Sequence, residues 1–366
     1  MRISTRLTAL FGFALMTHCG STSSSGQDIG PGSSGGSTSS GGTSSGASSS
    51  GTSSGQSTGS SGDDTSGTSS GPSSSSSGGQ SSGSSGVSDD GGDDEGGSSK
   101  ADSGGGSSSC FPAGSGTDFT ADGPLKVTSA DVASVSCTVF QPTVLGSGGC
   151  LNPVIIWGNG TFNTPSNYTG LFNHWATEGF IVAAADTSNS GSGKEMLACL
   201  SYIIAQNTAA GSTLKGHVDV NHIASSGYSQ GGAGCLEASI DPRFVVTAAV
   251  SPYIVVALGG YDTTSVMKQV HPLFMISGDQ DTVAVPAQNQ QPIFMQAPVP
   301  IFWATHAGSS HLEVLNANGG AYEGPLTAWF RYKLMGDPAA RDWFEKPPCD
   351  LCTATGWTVQ TNSMWQ

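Results

Sequence analysis

Ser229 stands apart from the many other serines of the chain because of its neighbours. It lies in Gly227-Tyr228-Ser229-Gln230-Gly231, after the apolar stretch Ile223-Ala224-Ser225-Ser226 and before Gly232-Ala233-Gly234 and a helical pattern. A serine hydroxyl is a weak nucleophile. To attack a carbonyl it must sit where a histidine can take its proton and a backbone N–H can meet the developing oxyanion. A tight turn from strand to helix provides both, and glycines on either side leave room for it. The bare pattern G-x-S-x-G arises by chance in a chain with 54 glycines. The strand, turn and helix around Ser229 are what separate it from those chance matches.

In this arrangement the acid and the base follow the serine in that chain order. The run Gly278-Asp279-Gln280-Asp281-Thr282-Val283-Ala284-Val285-Pro286 offers two carboxylates after an apolar strand. Asp281 is chosen as the acid; Asp279, nearer the strand, reads as a loop-bonding aspartate. Further on, Thr305-His306-Ala307-Gly308-Ser309-Ser310-His311 holds two histidines. His311 lies deeper in the loop, where it can swing over Ser229, and is chosen as the base, whereas His306 belongs to the strand end. His174, His217, His222 and His271 precede the acid and read as ordinary surface or core residues. The proposed chemistry is proton abstraction by His311, attack of Ser229 on an ester carbonyl, and charge stabilisation by Asp281. The oxyanion is expected at the backbone N–H of Gln230 and a second from Gly158-Asn159-Gly160-Thr161-Phe162, with Thr161 the choice. Asn159-Gly160-Thr161 is also a glycosylation sequon, a reading of little weight here.

The elements that must position these residues alternate. Short apolar runs are predicted as strands over 124–129, 136–141, 154–157, 180–185, 223–226, 244–250, 273–277 and 300–304. Helices are predicted over 168–178, 193–207, from Ser229 to about Ile240, and over 325–335; Met196, Leu197, Leu200, Ile203 and Ile204 share one face of the second. This order predicts an α/β domain with a mostly parallel central sheet and helices on both faces. No helical insertion long enough to form a lid interrupts the strands, so an open site is expected.

Composition divides the 366 residues unevenly. Residues 1–19 read as an export signal: Arg2 and Arg6 precede the apolar run Leu7–Met16, which is too short for a permanent span. Cys19-Gly20-Ser21 then resembles a bacterial lipobox, with His18 standing where a small residue is usual, so Cys19 is the lipidation candidate. Residues 20–109 are almost entirely Ser, Gly, Thr and acidic residues, and such a segment has too little apolar surface to offset its ordering entropy. It reads as a disordered tether, and residues 110–366 as the catalytic domain. The net charge of -15 makes nucleic acid an unsuitable partner. With Cys19 set aside, Cys110, Cys137, Cys150, Cys199, Cys235, Cys349 and Cys352 form an odd set in a disulfide-permissive compartment, which leaves at least one thiol unpaired. Cys349 and Cys352 close the shortest loop, and Cys235 reads as a small core residue. No second pair accompanies that C-x-x-C at zinc spacing, so neither metal nor cofactor is expected.

Across about Gly123 to Gly336 the chain resembles the cutinase-like polyester hydrolases, the poly(ethylene terephthalate) hydrolase group, and the chlorophyllase-like hydrolases of the α/β-hydrolase superfamily. The resemblance is carried by the GNGT loop, by His174-Trp175-Ala176-Thr177-Glu178-Gly179-Phe180-Ile181-Val182, by GYSQGG, by the run Gly278 to Pro286 and by GSSH. It implies an α/β-hydrolase fold without a lid domain, acting on esters in a surface groove, with Ser229, Asp281 and His311 matching the triad. By the same resemblance Thr161 and Gln230 match the oxyanion positions, and Tyr253 matches a position where an aromatic ring lines the acyl site. Phe162 and Tyr228 are further candidates for flat rings at the substrate surface. Tyr228 departs from the His or Trp usual before the serine, which puts substrate choice in doubt but not the chemistry. The expected protein is an exported monomer that meets an ester or polyester, touching a membrane only through an N-terminal lipid. The rival readings are a peptidase, a dienelactone-hydrolase-like enzyme, and a cell-surface binding module without turnover.

Overall fold

The computed structural model describes residues 111–256 and 258–366. Residues 1–19, read as an export signal with Cys19, the 20–109 stretch read as a tether, and Cys110 lie outside the described residues. In chain order the elements are β1 (Val127–Val132), β2 (Cys137–Pro142), β3 (Asn152–Gly158), α1 (Thr169–Thr177), β4 (Ile181–Ala185), α2 (Lys194–Gln206), β5 (Val218–Tyr228) and α3 (Gln230–Ala238). There follow β6 (Val246–Val250), β7 (Leu273–Gly278), α4 (Gln290–Gln296), β8 (Ile301–His306), α5 (Glu323–Met335), α6 (Pro338–Asp342), α7 (Asp350–Thr353) and β9 (Trp357–Thr361).

The nine strands form one sheet in the order β1-β2-β4-β3-β5-β6-β7-β8-β9. The run from β4 to β8 is parallel, while β1, β2 and β9 pair antiparallel at the two sides. Strands β3, β4, β6 and β7 are buried at every position, the pattern of strands covered on both faces. Alternate residues therefore feed two cores. Ile155 and Trp157 of β3 point to one that also holds Trp175 of α1 and Trp329 and Phe330 of α5. Val154 and Ile156 point to the other, with Met196, Leu200 and Ile203 of α2, Leu236 of α3 and Ile293 of α4. The expected α/β class, with helices on both faces of a mostly parallel sheet, is what the chain adopts.

Strand order also selects the place for chemistry. The chain leaves β3 through α1 to β4 on one side, and leaves β5 through α3 to β6 on the other. Between the neighbouring carboxyl ends of β3 and β5 the connections diverge, which opens the crevice where ligands bind in sheets of this kind. The GNGT loop and Ser229 both lie there.

Cys137 of β2 is bonded to Cys199 of α2 across 62 residues of chain, a closure worth on the order of 4 kcal/mol through the unfolded state. Cys349 is bonded to Cys352, Cys150 is also disulfide-bonded, and buried Cys235 carries a free thiol. Burial alone pushes that thiol far above its ordinary range, which makes it a packing residue without nucleophilic character. Strand β5 begins five residues before the predicted Ile223, and α4, α6, α7 and β9 carry no sequence prediction. In α4, Pro292 and three glutamines hide the apolar side chain of Ile293.

Candidate active site

The turn at Ser229 is built by backbone packed on backbone. Ser229 has φ 56° and ψ -117°, a conformation that costs an L-residue energy and persists only where the surroundings enforce it. Its N–H donates to the Val250 carbonyl at 2.9 Å, and its own carbonyl accepts the N–H groups of Ala233 and Tyr253, each at 3.0 Å. A Cβ on Gly227 would lie 2.2 Å from the Gly231 carbonyl oxygen, and one on Gly231 would lie 2.1 Å from that of Gly158. Both glycines of the motif are thus required by close approach, and the second presses the start of α3 against the GNGT loop.

That loop is pinned from below. The Asn159 side-chain amide donates to the carbonyls of Ala185 at 2.5 Å and Thr187 at 2.8 Å. Its backbone N–H donates to Ser190 Oγ at 3.1 Å, and the Gly160 N–H donates to Tyr168 Oη at 3.1 Å. Asn159 is fully buried, so the sequon is not presented to solvent. Thr161 follows at the loop's turn, and Gly158 and Asn159 of the same loop abut Gly231 in the first turn of α3.

Asp281 and His311 arrive on the loops after β7 and β8, and side chains hold them. His311 Nε2 lies 2.9 Å from Ser229 Oγ, and its Nδ1 lies 2.8 Å from Asp281 Oδ2. The other carboxylate oxygen, Oδ1, accepts the N–H groups of Val283 at 2.9 Å and Ala284 at 2.7 Å. With the carboxylate as acceptor, the imidazole proton sits on Nδ1, and Nε2 is left to accept from the serine hydroxyl. Ser229, His311 and Asp281 are 8 %, 7 % and 3 % exposed, so the chain of bonds works largely out of water, where its electrostatics are stronger. Asp279 points elsewhere: its Oδ1 accepts the Gly308 N–H at 2.7 Å. His306 bonds Ser309 Oγ at 2.7 Å and packs its ring 4.7 Å from that of Trp357. These two residues tie the acid and histidine loops to each other.

The three aromatic candidates differ. Phe162 is 82 % exposed, with φ 65°, and stands on the rim beside Thr161. Tyr253 is half-buried one turn from Ser229, its N–H on the serine carbonyl. Tyr228, expected at the substrate surface, is only 2 % exposed. As the last residue of β5 it points into the aromatic core with Trp157 and Tyr168, because side chains alternate along a strand. Counting back to Ala224, also in that core, reveals the parity. Two residues went unremarked: Val283, beside Asp281, and Leu312, beside His311, are both exposed. Each is an apolar residue in an otherwise polar loop next to a site residue, and that is the signal for them. A pocket of about 280 Å³ lined by Ser129, Asp131, Thr138, Thr164 and Asp186 contains none of the site residues. Among the described residues, no group of three or more His, Cys, Asp or Glu is placed to hold a metal ion. None of the described helices is long and apolar enough to cross a membrane.

The family model described as PETase, PET hydrolase-like, matches residues 111–322. A bis(hydroxyethyl) terephthalate hydrolase of Streptomyces coelicolor is 25 % identical over 207 residues, covering 53 % of this chain and 60 % of that protein. Two cutinases of Thermobifida alba are similar. Cutinase est1 is 26 % identical over 43 % of this chain and 50 % of its own length, and cutinase est2 is 25 % identical over 47 % and 56 %. The chain thus spans less than two thirds of the length of each of these relatives. The family model covers more than half of the chain, from the first described residue through the acid and histidine loops, and the chain belongs to the PET hydrolase-like family.

Proposed function

We propose that the chain is an exported serine carboxylic-ester hydrolase of the cutinase or polyesterase type. The observation that carries this reading is the bonded series Ser229 Oγ, His311 Nε2, His311 Nδ1, Asp281 Oδ2, at 2.9 and 2.8 Å, set where the loops of β3 and β5 diverge. His311 accepts the Ser229 proton as the oxygen attacks the ester carbonyl, then returns it to the leaving alcohol. Water, activated by the same imidazole, hydrolyses the acyl-enzyme. The backbone N–H groups of Gln230 and Thr161 hold the oxyanion, and Phe162 and Tyr253 line an open acyl site. The named activities of the relatives, on bis(hydroxyethyl) terephthalate and cutin, support an ester or polyester as substrate. Export through residues 1–19, a lipid on Cys19, the 20–109 tether and action as a monomer complete the reading, all resting on sequence. The test is hydrolysis of p-nitrophenyl butyrate: Ser229→Ala is expected to lower kcat about a millionfold, and turnover undiminished in that variant overturns the proposal.

A further inference from the structure

Buried beneath the histidine, Tyr228 touches both halves of the site. Its hydroxyl donates to the backbone carbonyl of His311 at 2.9 Å. Its ring lies against the imidazole, with centroids 5.0 Å apart and planes at 38°. On the opposite flank the GNGT loop rests on the same ring, since a Cβ added to Gly160 would lie 2.7 Å from Tyr228 Cδ1. Tyr168 packs edge-on at 6.2 Å and closes the remaining side. Burial raises the Tyr228 phenol well above the ordinary tyrosine range, so the hydroxyl keeps its proton and remains a donor.

The histidine loop has reason to need such a support. It contains Gly308-Ser309-Ser310, and apart from the His311 side-chain bond to Asp281 its ties to the acid loop run through Asp279 and backbone groups upstream of His311. From the Ser229 side, the Tyr228 hydroxyl links directly to the His311 main chain. Tyr228 is also covalently joined to Ser229, so the donor that holds the base moves with the nucleophile.

The geometry points to Tyr228 as a positioning residue that sets His311 against Ser229, in place of the substrate-lining role its aromatic character suggests. The inference deepens the proposed hydrolase and rests on it. The hydroxyl fixes the height of the histidine main chain, the ring fixes the tilt of the imidazole, and the contact with Gly160 places the oxyanion loop on the same support. A displacement near 1 Å between nucleophile and base costs about 100-fold in rate, and one neutral hydrogen bond about fivefold. Loss of the hydroxyl with the ring kept falls between these.

The experiment compares the wild-type chain with Tyr228→Phe, using a fluorophosphonate probe and p-nitrophenyl butyrate. The end-point of labelling counts the molecules with a folded site, and every rate is expressed per labelled serine, so partial unfolding does not enter. For Tyr228→Phe the expected result is complete labelling at the end-point. The labelling rate constant and kcat both fall about tenfold, and KM stays within about twofold, because the ring never contacts substrate. Rates per labelled serine equal to wild type overturn the inference. So does a raised KM with unchanged kcat, which is the signature of a substrate-lining ring. A wild-type chain that the probe leaves unlabelled defeats the hydrolase reading itself, and is distinguished from the other outcomes before any variant is measured.

Discussion

The two halves of the site are held in place by different physics. Ser229 is fixed by main chain against main chain, with glycines at 227 and 231 because nothing larger fits. Asp281 and His311 are fixed chiefly by hydrogen bonds between side chains and loop amides, next to the close backbone approach of Gly278 to Ser309. A close approach of backbones is rigid and unforgiving. A network of side-chain bonds is adjustable, and each bond contributes only about 1 kcal/mol net. On the proposed mechanism, the Ser229 side is therefore expected to fail by collapse of its turn, and Asp281 and His311 by loss of chemistry in an intact fold.

Asp281→Asn separates these modes most sharply. The change is nearly isosteric but leaves the imidazole in the wrong tautomer, so kcat is expected to drop about 10⁴-fold while the thermal midpoint stays within a few degrees of wild type. Gly231→Ala attacks the other half. A methyl group aimed at the Gly158 carbonyl must push apart the elbow and the oxyanion loop, lowering kcat by about 100-fold or more and the midpoint together; retention of both by this variant would break the comparison. Asp279→Ala removes one exposed tie between the loops and is expected to cost kcat about fivefold, with the remaining backbone bonds keeping the loops in register. The smallest effect lies away from both halves, at Lys333, whose ammonium sits among the rings of Trp329, Tyr332 and Trp365. Burial lowers its pKa to about 8. The folded state then holds fewer protons than the unfolded one between about pH 8 and the ordinary lysine value, so stability is recovered as pH rises through that window. Thermal midpoints measured across it should climb more steeply in the wild type than in Lys333→Met.

The same contrast explains what the sequence disclosed. Steric demand leaves a signature, so the strand, the elbow and its helix were legible from the glycines and the apolar runs around them. Strands β3, β4, β6, β7 and β8 were legible for a related reason: burial on both faces excludes polar residues. Side-chain networks leave less. Asp279 and Asp281 are chemically equivalent in the chain, and only distance from the strand distinguishes them there; in the fold Asp279 bonds Gly308 and Asp281 bonds His311. Tyr228 misled because an aromatic beside the nucleophile suggests the substrate surface, whereas strand parity turns it into the core. Strand β9 and helix α4 escaped because Trp357–Thr361 carries an alternation too short to stand out, and Gln290–Gln296 reads as polar with a proline inside it.

The two outermost strands come from opposite ends of the folded part, β1 beside β2 and β9 beside β8. A sheet's last strand presents unpaired amides that invite a second molecule to add on, and proteins blunt that invitation with polar or charged residues. Here β1 reads Thr128-Ser129-Ala130-Asp131 along its exposed stretch, and β9 ends in Gln360 and Thr361. The hydrophobic strands between them would aggregate if left as the margin. A protein cut back before Trp357 would uncover Phe302, Trp303 and Ala304 of β8, so the ten residues from Trp357 to Gln366 act as a guard on solubility, quite apart from any part they play in catalysis.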